Sequence, residues 1–211
     1  MLHQDSDLGR QYLAGMTLAG QYAYAGREWV VEKVRSIIGG EVLDTVHNHH
    51  NYAWRERHGS AQGGERELWV VRKGATPAFP GQRGFVGGSM ADDAVILSGV
   101  ESETSAASFY STVHGAGRVM SRTEARGRSV KDPATGKRMR QPGRVRHDEM
   151  QAWLRDKGVR LVGGDLDEAP QAYRRLPDVL AQHAGTVRIE HVLRPFAVVM
   201  AGADVFDPFK D

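Results

Sequence analysis

The residues best suited to chemistry gather around one histidine. In Ser108-Phe109-Tyr110-Ser111-Thr112-Val113-His114-Gly115-Ala116-Gly117-Arg118-Val119-Met120-Ser121-Arg122, an apolar, aromatic-flanked approach reaches His114, and small residues follow it. Gly115, Ala116 and Gly117 leave backbone N–H groups uncovered and let a ligand come close to the imidazole. Arg118 and Arg122 add positive charge one helical turn apart, should the chain turn helical after the glycines. This set suits an anion, most naturally a phosphate, held beside an imidazole. The competing reading is a glycine-rich turn carrying a solvated histidine.

A second histidine group is His47-Asn48-His49-His50-Asn51, in a stretch (His47 to Glu56) that alternates like a strand. On a strand His47 and His49 face one way and His50 the other, so regular geometry gives no three-histidine site. One imidazole can ligate a divalent ion, but a site wants roughly three protein donors or more. Arg72-Lys73-Gly74-Ala75-Thr76 offers paired cationic donors at a strand end, a candidate phosphate clamp. Gly87-Gly88-Ser89-Met90 has the composition of a nest of backbone N–H groups. Each of these also reads as an ordinary turn. Asp165, Asp167 and Glu168 read as a solvated turn rather than an acid–base group.

The elements that must carry these residues begin with a long helix over about Ser6 to Ile38. Leu8, Tyr12, Met16, Ala19, Ala23, Val30, Val34 and Ile37 recur at mostly helical spacing, Ser6 or Asp7 can cap the start, and Gly39-Gly40 stops it. Its Met and Tyr stripe is expected to be core. Short segments separated by glycine loops follow: Glu41–Val46, a strand entering His47–Glu56, a turn at Gln62-Gly63-Gly64, a buried strand at Glu67–Arg72 and a strand at Ala94–Leu97. Val130 to Gly143 reads as an exposed loop with turn chemistry at Asp132-Pro133-Ala134-Thr135-Gly136. A helix over His147–Lys157, a strand at Val159–Val162, a helix over Leu176–Ala184 and a single strand over Thr186–Val199, with Pro195 at an edge or bulge, complete the chain. The tail Asp204–Asp211 reads as polar surface.

The 211 residues, 40% hydrophobic and 26% charged, are enough for one substantial domain, taken as 1–211. The chain has no cysteine, which excludes disulfides, thiolate ligands and a cysteine nucleophile. No apolar run can span a bilayer and the N-terminus has no secretory pattern, so a cytoplasmic protein is expected. Net charge is only +2, but Arg118, Arg122, Arg126, Arg128, Lys131, Lys137, Arg138, Arg140, Arg144 and Arg146 face only Glu124 and Asp132 within one stretch. That suits a nucleic-acid backbone, or is a solvated basic loop.

Taken in order, His50-Asn51, Arg72-Lys73-Gly74-Ala75-Thr76, Gly88-Ser89-Met90, His114-Gly115-Ala116-Gly117-Arg118 with Met120-Ser121-Arg122, and Asp167-Glu168-Ala169-Pro170 with Tyr173 resemble the RtcB family of RNA-splicing ligases. The resemblance runs from the first helix to about Gly202. With the elements above it implies an α+β fold of mixed and antiparallel sheets with flanking helices. It implies that His114 is the nucleophile, attacking the α-phosphate of GTP with Mn²⁺ to give a histidine–GMP intermediate. GMP then passes to an RNA 3′-phosphate, opened from a 2′,3′-cyclic phosphate, and a 5′-hydroxyl end displaces it. By the same resemblance His50 is a metal ligand at the nucleotide with Asn51 beside it. Gly87, Gly88, Ser89 and Met90 wrap the nucleotide, His114, Gly115, Ala116 and Gly117 contact its phosphates, Arg72, Lys73 and Arg118 hold phosphates, and Tyr173 flanks the guanine. His47 and His49 have no assured role in the family and are expected to be structural or to support a ligating residue from behind.

The sequence departs from the family pattern at Gly87 (usually proline), Ala94 (a serine that contacts the nucleotide) and Met200 (a guanine-reading lysine), with Lys210 as a substitute donor in the tail. Family members are longer, and their N-terminal half supplies an aspartate, a cysteine and two more histidines to a two-metal site. The chain therefore reads as a C-terminal portion, whether truncation, split subunit or fragment, inactive without the other half. The partners implied are RNA (tRNA halves or other cleaved RNA), that half, and an archease-like activator. A catalytically silent RNA-binding module and a metal-dependent phosphoesterase using the histidine cluster are the competing functions.

Overall fold

A 32-residue helix, α1 (Asp7–Ile38), opens the computed structural model, which describes residues 3–60, 63–202 and 205, with Arg140 described by its backbone alone. The expectations placed on Gln62, on Lys210 and on most of the tail lie outside the described residues. Contacts divide the chain into two compact units, Met1–Thr76 and Pro77–Asp211.

In the first unit the Ser6 side chain accepts the Gly9 N–H at 3.0 Å, and the Gly39 N–H closes the helix on the Arg35 carbonyl with φ at 77°. The apolar stripe of α1 is not core, contrary to the sequence expectation. Gly9 is its buried residue, while Leu8, Tyr12, Leu18, Tyr22, Trp29 and Ile37 stay exposed. The cause is geometric: a helix of this length outruns the surface that one two-stranded sheet can offer it. That sheet pairs β1 (Asn51–Gly59) with β2 (Glu65–Lys73) antiparallel, from Asn51↔Lys73 to Gly59↔Glu65. Two further expectations are corrected here. The strand begins only at Asn51, leaving Glu41–Val46 and His47–His50 outside regular structure, and β2 is half buried, with Val70 and Arg72 inward and their neighbours exposed.

β3 (Ala75–Pro77) carries the chain into the second unit, followed by β4 (Arg83–Val86), β5 (Ala94–Gly99), α2 (Glu103–Ala107), β6 (Ser111–Val113), α3 (Arg122–Arg126), β7 (Gly127–Lys131), β8 (Arg138–Pro142), α4 (His147–Asp156), β9 (Arg160–Gly164), α5 (Leu176–Ala181), β10 (Val187–Leu193) and β11 (Ala197–Gly202). An antiparallel sheet in the order β10-β5-β4 packs Val86, Val95, Leu97 and Val187 against Leu176 and Leu180 of α5. A second core joins Met90, Ala91, Ala125 and Val145 to Met150 and Leu154 of α4 and to Ala169 and Ala172. The α+β class is as expected. The exposed loop expected at Val130–Gly143 is instead a hairpin, β7 against β8, because Asp132 to Gly136 turns the chain tightly enough to pair its flanks. The single strand expected over Thr186–Val199 is two strands in different sheets, β10 with β5 and β11 parallel to β9. Pro195, which has no N–H to donate, lies in the break.

Candidate functional site

His114 is presented at the end of β6 by an unusual chain reversal. Phe109 and Tyr110 both lie in the left-handed region, at φ 52° and 47°, where non-glycine side chains crowd the backbone. The reversal is held by Phe109 N–H to Ala106 O at 3.0 Å, Tyr110 N–H to Ser105 O at 2.7 Å and Ala78 N–H to Tyr110 O at 2.7 Å. The Tyr110 ring stacks on Phe79 at 4.9 Å and its hydroxyl donates to Glu101 at 2.9 Å, a bond that raises the phenol pKa. After it the His114 side chain stands exposed. Two adjacent aromatics carry no sequence signal for left-handed backbone, so sequence reading misses this device.

The structure brings the Gly87 and His114 segments side by side. Gly87 and Gly115 form a parallel bridge, in which Ala116 N–H donates to Gly87 O at 3.0 Å and Gly87 N–H points to His114 O at 3.4 Å. A Cβ on Gly115 would stand 3.4 Å from the Gly87 carbonyl, and one on Gly88 would lie 2.7 Å from Asp92 Cβ and from Asp93 O. Gly88 is thus needed for close backbone approach, whereas the space at Gly115 is that of ordinary contact. Ser89 and Met90 are buried, and the Met90 side chain belongs to the core, so only its backbone can serve a ligand. Ser89 Oγ donates to Asp92 at 3.1 Å, and Asp92 takes Arg175 Nη2 at 2.5 Å, while the Arg175 guanidinium lies over Trp153 at 4.8 Å. Asp92 and Arg175 therefore fasten the loop, and neither is visible as a site residue in the sequence.

Beyond Gly117 the arginines turn inward. Arg118 donates to Met120 O at 3.1 Å, Tyr173 Oη at 2.9 Å and Asp167 O at 2.6 Å, and its guanidinium lies 4.9 Å from the Tyr173 ring centre. Arg122 pairs with Asp167 at 3.2 Å and with Glu168, and Arg126 reaches Asp167 at 4.0 Å. The solvated acidic turn expected here is corrected: Asp167 is fully buried, because it is the counter-charge these arginines close around. Burial alone would lower the Arg122 pKa, but Glu168 and Asp167 outweigh it and raise the value. Tyr173 is pushed up to about 12, by burial first and by its bond to Glu168 second. The stretch is stitched to its neighbour by Val119 N–H to Ala172 O and Arg174 N–H to Gly117 O, each 2.9 Å.

In the first unit Arg72, 2% exposed, forms a two-pronged pair with Glu56 at 2.7 and 3.0 Å and lies over Trp54 at 4.9 Å. Glu56 also meets His58 Nε2 at 2.8 Å. Lys73 and Asn51, paired at the open end of the ladder, are exposed. His50 is exposed just before β1, with its carbonyl accepting Gly74 N–H at 2.8 Å. His47 stacks on Tyr24 at 3.7 Å and takes Arg27 Nε at 2.7 Å, and His49 stacks on Tyr52 at 5.0 Å. Burial and Arg27 lower the pKa of both histidines, which suits a structural role. Among the described residues no group of three or more His, Asp or Glu could hold a metal ion. The donors present therefore do not fit a manganese centre by themselves, and His50 stands as a single donor. Met200 packs its thioether beside Gly164 and against the second core, so it offers no polar group to a base.

The sequence pattern described as tRNA-splicing ligase RtcB matches residues 1–201. The chain belongs to the RtcB family. It is 33% identical over 200 residues to the RNA-splicing ligase RtcB of Escherichia coli K12, covering 89% of this chain and 43% of that protein. It is 32% identical over 222 residues to the tRNA-splicing ligase RtcB of Archaeoglobus fulgidus, covering 92% of this chain and 42% of that protein. The chain thus spans less than half the length of these RtcB relatives.

Proposed function

We propose that this chain carries the nucleotide-accepting histidine of an RtcB-type RNA ligase and works together with the remaining part of the family's sequence. The observation that supports this most is the exposed His114 beside the Gly87–Met90 loop, joined to it at Gly87 and Gly115. A neutral imidazole is a competent nucleophile near pH 7. One His114 ring nitrogen attacks the α-phosphorus of GTP, forming an N–P bond while the α–β bridge breaks and pyrophosphate leaves. An RNA 3′-phosphate oxygen then displaces His114 from the GMP phosphorus, and a 5′-hydroxyl attacks the activated 3′ end with release of GMP. Backbone N–H groups of Gly88, Ser89, Gly115 and Gly117 receive the phosphate oxygens, since preorganised donors offset charge where it develops, while the Ala116 N–H stays on the Gly87 carbonyl. Lys73 adds an exposed cation, whereas Arg72 and Arg118, engaged with Glu56 and with Tyr173 and Asp167, shape the loops that carry the phosphate contacts. Manganese would neutralise phosphate charge when bound, with His50 as a donor from among the described residues. RNA ends bearing a 2′,3′-cyclic phosphate or 3′-phosphate are the substrate class, and an archease-like activator is a further partner.

The single-donor metal position favours one second reading, a catalytically silent RNA-binding fragment. The test is labelling with α-³²P GTP and Mn²⁺, with and without a complementary polypeptide that carries that remaining part. We expect no labelling of the chain alone and acid-labile labelling of the mixture, absent from His114→Ala. Strong labelling of the chain alone would overturn the need for a complement. No labelling with a folded complement present would favour the silent reading.

A further inference from the structure

The basic stretch does not act as one surface, and the structure divides it. Arg118, Arg122 and Arg126 close on Asp167 and Glu168, Arg144 on Glu124 at 2.7 Å and Arg146 on Asp148 at 2.9 Å. The hairpin of β7 and β8 is different. Between Gly127 and Gly143 its carboxylate is Asp132, and that side chain is spent within its own turn. It accepts Ala134 N–H and Thr135 Oγ1, each at 2.8 Å. Arg128, Lys131, Lys137 and Arg138 are all exposed on this ribbon, and Lys131 and Arg138 face each other across the ladder. Like charges placed opposite each other weaken a strand pair, so the arrangement is costly unless an anion lies across it.

The ribbon is also firmly anchored. At its root, a Cβ on Gly127 would stand 2.0 Å from Gln141 O, and one on Gly143 would stand 2.2 Å from Ala125 O. Arg144 N–H to Glu124 O at 2.8 Å and Val145 N–H to Ala125 O at 3.1 Å fasten the return strand to α3, whose Ala125 is fully buried. A groove of about 460 Å³ runs along this root, lined by Thr123, Glu124, Arg128, Gln141 and Arg144 among others. Arg128 is held in it by Gln141 Oε1 at 3.1 Å.

We infer that the β7–β8 ribbon is an RNA-backbone contact, in which Arg128, Lys131, Lys137 and Arg138 bind phosphates of the strand outside the reacting ends. Charge complementarity to a polyanion selects the partner, and the family's RNA substrate makes that polyanion RNA. The inference rests on the proposed ligase reading for the identity of the polyanion, but its test needs no nucleotide transfer. Each phosphate contact to single-stranded nucleic acid contributes about 0.7 to the slope of log affinity against log salt.

The test is fluorescence anisotropy of a labelled single-stranded oligoribonucleotide with a 3′-phosphate, titrated with the full chain at several salt concentrations. The Arg128→Gln, Lys131→Gln, Lys137→Gln, Arg138→Gln combination is expected to lower the slope by about 3 and the affinity at 0.1 M salt by roughly 100-fold. Arg146→Gln, outside the ribbon and already paired, is expected to change the slope by less than about 0.7. A second variant, with residues 131–138 replaced by Asn-Gly, keeps the root and Arg128 and should lower the slope by about 2, and unchanged far-ultraviolet dichroism certifies folding. An unchanged slope in both variants overturns the inference, as does an unmodified chain that binds no RNA. Equal displacement of RNA by poly-glutamate would also overturn it, assigning the ribbon to an acidic protein. If His114 proves unlabelled with a folded complement present while the slope falls as stated, the ligase reading fails and the ribbon stands.

Discussion

Arg118 donates from Nη1 to the Tyr173 hydroxyl at 2.9 Å, and the Tyr173 hydroxyl in turn donates a hydrogen bond to Glu168. The first cation after the His114 loop is therefore part of a relay that ties that loop to the segment around Asp167. Its effect is to fix where Gly117 leaves the site, through Arg174 N–H to Gly117 O at 2.9 Å.

Tyr173 gives a direct optical check. Its folded pKa is about 12 against 10.0 for the free phenol, from burial first and the Glu168 bond second. Between those values the unfolded chain has lost the proton and the folded chain keeps it. Stability from this group is thus complete below pH 10 and lost as pH rises toward about 12. Difference absorbance should show a late tyrosinate step near pH 12 that Tyr173→Phe removes. The same substitution strips two hydrogen bonds and should cost about 1–2 kcal/mol in urea unfolding.

Arg122 should matter to folding more than its partial exposure suggests. Removing it takes the 3.2 Å ion pair from the fully buried Asp167 and leaves Arg126 reaching that carboxylate at 4.0 Å. Arg122→Met is expected to destabilise the chain by about 2–4 kcal/mol, below the roughly 3–5 kcal/mol for breaking a fully buried pair because Arg126 still reaches Asp167. Adding Asp167→Asn should recover part of that loss. A double-mutant cycle in urea measures the coupling, and independent, additive effects would show that the pair does not interact.

Arg72 makes the parallel case in the first unit. Both its side chain, 2% exposed, and Glu56, 9% exposed, are buried, so the pair has left water together. Arg72→Met should cost about 3–5 kcal/mol, whereas Glu56→Gln with Arg72 intact should cost less because its amide still accepts one hydrogen bond. Arg72→Lys loses the two-pronged geometry and the stack on Trp54, and should fall between them. Thermal melts of the three variants give the order.

Much of this was legible in the sequence, for identifiable reasons. The caps at Ser6 and Gly39 and the helical spacing between them define α1, but spacing tells which face is apolar and not whether anything covers it, so it assigns Tyr12 and Ile37 to a core although both are exposed. The β7–β8 hairpin carries charge on both faces and lacks the alternation that marks a half-buried strand, leaving only its turn readable. Conversely, Thr186–Val199 alternates across Pro195 as if continuous, and pattern alone could not show that β10 and β11 join different partners. Around His114 the glycines announce close backbone approach. The pairings that fix it, Asp92 with Arg175 and Arg118 with Tyr173, join residues distant in sequence and leave no local trace.

The histidines before β1 predict acid sensitivity in the first unit. Burial and Arg27 hold His47 and His49 below the ordinary value of 6.5. As pH falls below 6.5 the unfolded chain gains protons that the folded unit resists, so stability declines from there downward. Dichroism of α1 between pH 7 and pH 5 should show the decline, and His47→Gln with His49→Gln should flatten it. A profile that keeps its slope in the double variant would place the titration elsewhere.

Asp92 offers a test of whether loop geometry, rather than loop composition, serves His114. Its carboxylate holds Ser89 Oγ at 3.1 Å and Arg175 at 2.5 Å, at the end of the Gly87–Met90 segment that bridges to Gly115. Asp92→Asn keeps the size and one acceptor but removes the charge that fixes Arg175. In the complemented labelling reaction we expect a several-fold rise in the GTP concentration for half-maximal labelling, with the final extent of labelling little changed. Gly88→Ala should be worse, because its Cβ would meet Asp93 O at 2.7 Å and the backbone must move to admit it. If both variants label at the unmodified GTP dependence while His114→Ala does not label, the loop is scenery and the nucleotide is held elsewhere.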